Sequence, residues 1–259
     1  MLNGNQKELA PRRLDNLREL IRGKGVIRVE EICSQLRVSP ATVRRDLDQL
    51  EESGAIRRVH GGAVSVESRL EEPLFDDKAS IAAREKNRIA EAALQFIATG
   101  DTIYLDGGST VLEFAQLLHD RTNLTVVTNS LRAAHELAGR GPRLILIGGE
   151  LRRLSQTMVG PLTRCVLREL HVDKAFMGTI GLSLKEGMTT TDPGEAYTKE
   201  LVMSQARQVI LLADSGKAGK VAFARAGGLE NIHVLITDKQ LDKHFAKELA
   251  RRGIKLVRV

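Results

Sequence analysis

Ser39-Pro40-Ala41-Thr42-Val43-Arg44-Arg45-Asp46-Leu47-Asp48-Gln49-Leu50 decides the reading of this chain. Val43, Leu47 and Leu50 recur at i, i+4 and i+7, so they share the apolar stripe of one helix. Ser39 is a fitting N-cap, and Pro40 stands at N1, where its missing N–H costs nothing. Gly54 follows the last turn, as a C′ residue should. Ser39, Thr42, Arg44 and Arg45 are left facing outward. Arginines and small hydroxyls near a helix N-terminus suit the major groove of DNA, where arginine reaches guanine edges and phosphates. Asp46 is expected to orient a neighbouring arginine rather than to contact a base.

Working outward, Arg13–Ile21 repeats the helical pattern with Leu14, Leu17 and Ile21 on one face. Val29–Leu36 forms a second helix, with Val29, Ile32, Cys33 and Leu36 inward. A turn at Arg37-Val38 leads into the Ser39 helix, which makes a helix-turn-helix. If Arg37 adopts left-handed geometry, it costs roughly 1–2 kcal/mol. Downstream, Ile56-Arg57-Arg58-Val59-His60 turns at Gly61-Gly62 and returns through Ala63-Val64. This is a β-wing whose Arg57, Arg58 and His60 can clamp phosphates or enter the minor groove, with no acid nearby in sequence.

Bulk composition agrees. The 259 residues are 42% apolar, which excludes wholesale disorder, and carry a formal charge of +6, which fits a nucleic-acid partner. Aromatics are only 3%, with no Trp, so recognition of single strands by base stacking is excluded. Cys33 and Cys165 read as reduced core residues, not as a disulfide or metal pair. The first residues lack an apolar signal segment, and no run reaches membrane-spanning length, so a cytoplasmic chain without a membrane partner is expected.

Ser65–Pro73 is polar and aperiodic, which places a domain joint there. The expected organisation is a DNA-binding domain over 1–65, a linker over 66–78 and an α/β domain over 79–259. In the latter, aliphatic runs at Thr102–Leu105, Leu124–Thr128, Arg143–Ile147, Lys174–Met177, Gln208–Ala213, His233–Thr237 and Lys255–Val259 read as strands, with helical patterns between several of them. That alternation indicates a mainly parallel sheet, which binds ligands beyond the carboxyl ends of its strands. Glycine-bearing polar loops follow five of the strands. Asp106-Gly107-Gly108-Ser109-Thr110 offers close backbone approach, hydroxyls and helix N–H groups, an arrangement suited to phosphate as well as to a plain turn. Asp192, Glu195 and Lys199 either face a ligand pocket and grip sugar hydroxyls, or leave Glu195 and Lys199 as an i, i+4 surface ion pair.

These motifs carry a family resemblance. Arg13, Leu17, Ile21 and Ser39-x-x-Thr42-Val43-Arg44-Arg45-Asp46-Leu47, followed by Arg57-Arg58-x-His60-Gly61-Gly62-Ala63, resemble the helix-turn-helix signature and wing of the DeoR family of bacterial sugar-operon repressors. The loops at Asp106–Thr110, Thr128-Asn129, Gly148-Gly149-Glu150-Leu151-Arg152 and Asp214-Ser215-x-Lys217 resemble those of the family's sensor half. The resemblance implies an α/β fold similar to ribose-5-phosphate isomerases and CoA transferases. It also implies a phosphorylated sugar effector whose binding releases the operator. By position, Gly107, Gly108, Ser109 and Thr110 would hold phosphate, beside Asp106, Gly148 and Gly149. Asn129, Arg152, Asp192, Glu195 and Lys199 would read the rest, with Lys217 adding charge.

The expected function is therefore a repressor of a carbohydrate operon. It would bind double-stranded operator DNA as a homo-oligomer, dimer or tetramer, because one short recognition helix reads too few bases alone. No cofactor or metal is expected. A second reading is a sugar-phosphate isomerase fused to a DNA-binding head, since Asp192, Glu195 and Lys199 can move a proton beside a carbonyl. A third is an activator or architectural protein that needs no metabolite.

Overall fold

The computed structural model describes residues 10–24, 26–52, 56–59, 62–65, 72 and 75–259. The chain divides into two compact units, 1–71 and 72–259. The division falls inside the stretch expected to be linker. The sensor-side part of that stretch is structured: Phe75–Ser80 is helical, with Phe75 buried in the second unit.

The first unit comprises α1 (Ala10–Lys24), β1 (Val26–Arg28), α2 (Val29–Leu36), α3 (Pro40–Glu52), β2 (Ile56–Val59) and β3 (Gly62–Ser65). Leu17 and Ile21 of α1, Val29 and Ile32 of α2, and Val43, Leu47 and Leu50 of α3 meet Ile27, Ile56 and Ala63 in one core. These are the stripes that the periodicity picks out, with Leu14 and Cys33 at the margin. The wing holds a third strand: β3 pairs with β2 and also with β1, Ile27 facing Ala63. A Cβ on Gly62 would lie 2.2 Å from the Ile27 carbonyl oxygen, so only glycine lets these strands close. Gly54, His60 and Gly61 lie outside the described residues.

Ser39 caps α3 by accepting the Thr42 N–H at 3.3 Å, and the two hydroxyls lie 2.9 Å apart. The arginine that Asp46 orients is Arg13 of α1, a neighbour in space rather than in sequence. Asp46 sits on the buried side of α3 beside Leu47 and takes a two-pronged ion pair from Arg13, at 2.6 and 2.8 Å. Such charge-assisted bonds fix geometry as well as energy.

The second unit runs α4 (Phe75–Ser80), α5 (Ala83–Ala93), β4 (Thr102–Leu105), α6 (Ser109–Gln116), β5 (Thr125–Thr128), α7 (Leu131–Leu137) and β6 (Arg143–Leu146), then the hairpin β7 (Glu150–Arg152) and β8 (Thr157–Val159). It continues through α8 (Arg164–Leu167), β9 (Val172–Met177), β10 (Gly181–Ser183), β11 (Gly187–Thr190), α9 (Pro193–Gln205), β12 (Ala206–Leu212), β13 (Ala224–Gly227), β14 (Val234–Thr237), α10 (Lys243–Arg251) and β15 (Lys255–Arg258). Seven strands form one sheet in the order β15-β14-β12-β9-β4-β5-β6, every pair parallel. Each expected aliphatic run supplies one of them. β10, β11 and β13 form a small antiparallel sheet.

Helices cover both faces of the main sheet. Ile89, Val111, Phe114 and Leu137 pack on one side, with the Phe114 and Phe176 rings 4.4 Å apart, and Leu167, Val202, Phe245 and Leu249 pack on the other. Winding goes outward from β4 through β5 to β6, and outward the other way from β9 through β12 and β14 to β15. The direction reverses between β4 and β9, so their outgoing loops part and leave a crevice at the switch point. Cys165 is exposed on α8, not in the core; it lies on the outward side of that single-turn helix, while Leu167 turns inward. Among the described residues no helix is long and apolar enough to cross a membrane.

Arg37 adopts the left-handed conformation, φ 53° and ψ 43°, as the C-cap of α2, with its side chain exposed. Arg37→Gly removes that strain and adds freedom to the unfolded chain, a net stabilisation of roughly 0.5–1 kcal/mol. Thermal unfolding of the full chain should show the transition of the first unit moving up by a few degrees.

Candidate functional site

The DNA-binding residues expected from the sequence lie on α3 and the wing of the first unit. Arg44 and Arg45 are exposed on α3, beside Ser39 and Thr42 at its N-terminus. Arg58 departs from the sequence reading of an acid-free wing. Its guanidinium pairs with Asp48 of α3, and its backbone N–H donates to the Glu51 carboxylate at 2.7 Å. The acids were hidden because they lie on α3, seven and ten residues upstream. Arg57 holds its place in the β2–β3 ladder opposite Val64, but its side chain, like His60, lies outside the described residues.

In the second unit the crevice between β4 and β9 is a cleft of about 570 Å³, its open mouth included. Gly107, Gly108, Ser109 and Thr110 form one wall, where the expected phosphate loop runs into α6. Gly108 has φ 135°, a backbone angle open to glycine, and a Cβ on Gly107 would lie 2.2 Å from the Thr157 side chain. Gly178 and Thr179, after β9, line the cleft beside that loop. Lys199 and Lys217 line the cleft as expected. Two further lysines, Lys78 of α4 and Lys86 of α5, join them and were missed in the sequence, where they sit in a charge-rich run. The available signal was Lys86 three residues before Ile89: Lys86, Ile89, Ala90 and Ala93 form the buried side of α5.

Electrostatics set this cleft apart. Burial drives the Lys86 ammonium down to about 8, against the pull of Asp214, with Lys217 and Lys78 adding repulsion. Burial likewise lowers Lys217, again with Asp214 opposing and Lys220 and Lys78 repelling. Crowded, poorly solvated ammonium groups beside helix N–H groups are suited to a multiply charged anion.

Deeper in, Lys199 donates to the Asp106 carboxylate and to the Gly178 carbonyl at 3.1 Å. Asp106 also accepts the Gly178 N–H at 2.9 Å. Burial pushes the Asp106 carboxyl up, and Lys199 opposes the shift. Glu195 accepts from Thr190 at 2.7 Å and from Arg152 at 3.2 Å. Glu195 and Lys199 are both buried and each has other partners, so the surface-pair reading does not hold.

Arg152 and Asp192 are not among the residues lining the cleft. The Arg152 guanidinium faces three carboxylates: Glu72 at 2.8 Å, Glu195 at 3.2 Å and Asp192 at 3.4 Å. Asp192 caps α9, accepting the Glu195 N–H at 2.8 Å. Gly148 and Gly149 lead into the hairpin instead, where a Cβ on Gly149 would lie 2.9 Å from the Thr163 side chain. Glu72 was missed. Burial works to raise its carboxyl, but Lys78, Thr191 and Arg152 together hold it below the usual range.

Comparison with known proteins bears on both units. A family model described as the DeoR-like helix-turn-helix domain matches residues 13–69, and one described as the DeoR C terminal sensor domain matches residues 81–239. The chain is 37% identical over 229 residues to the HTH-type transcriptional regulator GlpR of Haloferax volcanii, covering 88% of this chain and 90% of that one. It is 38% identical over 239 residues to the lactose phosphotransferase system repressor of Streptococcus mutans, covering 91% and 94%. Among solved structures, ribose 5-phosphate isomerase A of Methanocaldococcus jannaschii matches 53% of this chain and 55% of its own, with 20% identity and a TM-score of 0.41. A reading head built on α3, a switch-point sensor fold and family matches over both units place this chain in the DeoR family of DNA-binding transcriptional regulators.

Proposed function

We propose that this regulator is a cytoplasmic repressor of a carbohydrate operon, released from its operator by a phosphorylated sugar. The observation that carries the effector reading is that Lys86 and Lys217 line the same cleft as the glycine loop at the start of α6, where Lys78 and Lys199 are paired with Glu72 and Asp106. A phosphate there meets ammonium groups and backbone N–H donors together. The lactose phosphotransferase system repressors among its relatives support a carbohydrate role. The isomerase alternative loses ground, because the relatives are named as regulators and repressors.

On the DNA side, Ser39, Thr42, Arg44 and Arg45 read the major groove, and Arg57, Arg58 and His60 serve the wing. A dimer or tetramer supplies the second reading head. Effector binding at a coupling of about 1–3 kcal/mol changes operator affinity roughly 5–150-fold. In the sensor, Gly107, Gly108, Ser109, Thr110 and Lys217 hold phosphate. Asp106, Asn129, Glu195 and Lys199 stand behind it, while Arg152 and Asp192 position Glu195, and Gly148 and Gly149 shape the neighbouring turn.

Arg44→Ala or Arg45→Ala should weaken binding to DNA selected from a random pool by about 1–3 kcal/mol wherever the arginine contacts a base edge. An equal loss on all sequences assigns that arginine to phosphate contact instead.

Effector binding should depend on pH. Lys86 titrates near 8 in the folded protein, below its unfolded value of 10.5, so the folded state holds fewer protons and stability rises with pH between those values. A bound anion restores the proton. Calorimetry at pH 8 should therefore show proton uptake with sugar monophosphates, and affinity should fall as pH rises through that value. Lys86→Gln should bind more weakly and lose most of this pH dependence. Absence of binding by every phosphorylated sugar, with inorganic phosphate also silent, refutes the proposed effector.

A further inference from the structure

Lys86 belongs to the buried side of α5 with Ile89, Ala90 and Ala93, and only 3% of it is exposed. Lysine is almost never this deep unless it is paired with an acid. Among the described residues no carboxylate forms an ion pair with it. Its Nζ donates to the Lys78 backbone carbonyl instead. The Ser109 hydroxyl donates to the same carbonyl oxygen, at 3.4 Å. One acceptor therefore holds Lys86 Nζ beside the first residue of α6, at the glycine loop that lines the cleft.

The other lysines of the cleft are held differently. Lys78 and Lys199 are ion-paired to Glu72 and Asp106. Lys217 is only partly buried. Lys86 titrates at about 8, so near pH 7.5 roughly a quarter of it is free amine, against about one in a thousand for a lysine at the ordinary value of 10.5. A neutral amine that donates one N–H to a carbonyl keeps its lone pair for a new bond. A buried amine with a free lone pair, fixed next to an anion-binding loop, is an activated nucleophile.

Resting on the phosphate reading of the cleft, we propose that Lys86 is a covalent acylation site, at which a small acyl phosphate docks its phosphoryl group on the glycine loop and passes its acyl group to Nζ. The neutral amine attacks the acyl carbon. The Nζ–C bond forms, and the bond from that carbon to the bridging oxygen breaks. Inorganic phosphate leaves with the electron pair and takes the proton that the nitrogen loses. Helix N–H groups and the Ser109 hydroxyl direct the reagent, because they hold its phosphoryl end beside the nucleophile and replace a chance collision. The bound phosphoryl group favours the protonated amine, so the reaction draws on the remaining free share, which the low starting value keeps above that of an ordinary lysine. The product is an uncharged amide where the cleft held an amine.

The test is peptide mapping by mass spectrometry after the full chain is incubated with acetyl phosphate. Lys185, whose side chain is 91% exposed, serves as the internal reference. Lys86 should be acetylated roughly tenfold faster than Lys185. Inorganic phosphate should slow the reaction at Lys86 and leave Lys185 unchanged. The ratio of Lys86 to Lys185 should be several-fold higher with acetyl phosphate than with acetic anhydride, which carries no phosphoryl group. The inference is overturned if Lys86 reacts no faster than Lys185, if Lys217 is modified in its place, if inorganic phosphate gives no protection, or if the two reagents give the same ratio. Failure of the phosphate reading looks different, since inorganic phosphate would then give no heat with the untreated chain. A chain that binds phosphate with heat and still spares Lys86 overturns the acylation site alone.

Discussion

The sensor unit depends on a buried bridge at the place where its sheet changes direction. Asp106 ends β4, Gly178 follows β9, and Lys199 comes from α9 on one face of the sheet. The carboxylate holds both the Gly178 N–H and the Lys199 ammonium, and that ammonium returns to the Gly178 carbonyl. These contacts keep two diverging loops at a fixed separation, which a switch-point crevice needs and sheet hydrogen bonds alone do not supply. Replacing one partner would strand the other charge in a dry site, so the bridge is worth more as a clamp than as a source of net stability.

Around that clamp the unit gathers charges of both signs. Lys78, Lys86, Lys199 and Lys217 line the cleft together with Glu72 and Glu195, and Lys199 also lines a smaller chamber beside Asp106, Glu195 and Asn129. Arg152, itself outside the cleft lining, faces Glu72 and Glu195 of that lining and Asp192. In the first unit, arginine pairing has two uses: Arg13 is spent on Asp46 to lock α1 against α3, whereas Arg44 and Arg45 remain exposed.

The sequence made the main architecture legible because its signals there are strong. Val43, Leu47 and Leu50 repeat at helical spacing, and the seven parallel strands are aliphatic runs, several of them followed by polar loops. The short strands were not legible. Val26–Arg28 is three residues long, and Gly181–Ser183 and Gly187–Thr190 are rich in glycine, serine and threonine, so none carries a period. Within the site, the Gly107–Thr110 loop could be read because its chemistry is contiguous. Lys78 and Lys86 could not, since a lysine in a charged helix ordinarily faces water and only tertiary packing turned these inward. Arg152 misled for the opposite reason: a basic residue after a glycine pair looks like a ligand contact until the acids from Glu72, Asp192 and Glu195 arrive around it.

On the proposed phosphate-ester effector, the lysine cluster would give the sensor a working band as well as an affinity. A phosphate ester is a full dianion only above about pH 6, and Lys86 keeps its proton only below about 8. Between those limits ligand and cleft carry their largest opposite charges together. Below the band the ligand weakens its own grip, and above it the protein does. On that proposal, a cell whose interior stays inside that interval would receive a reading of metabolite concentration, and one that drifts outside it a reading blended with its acidity.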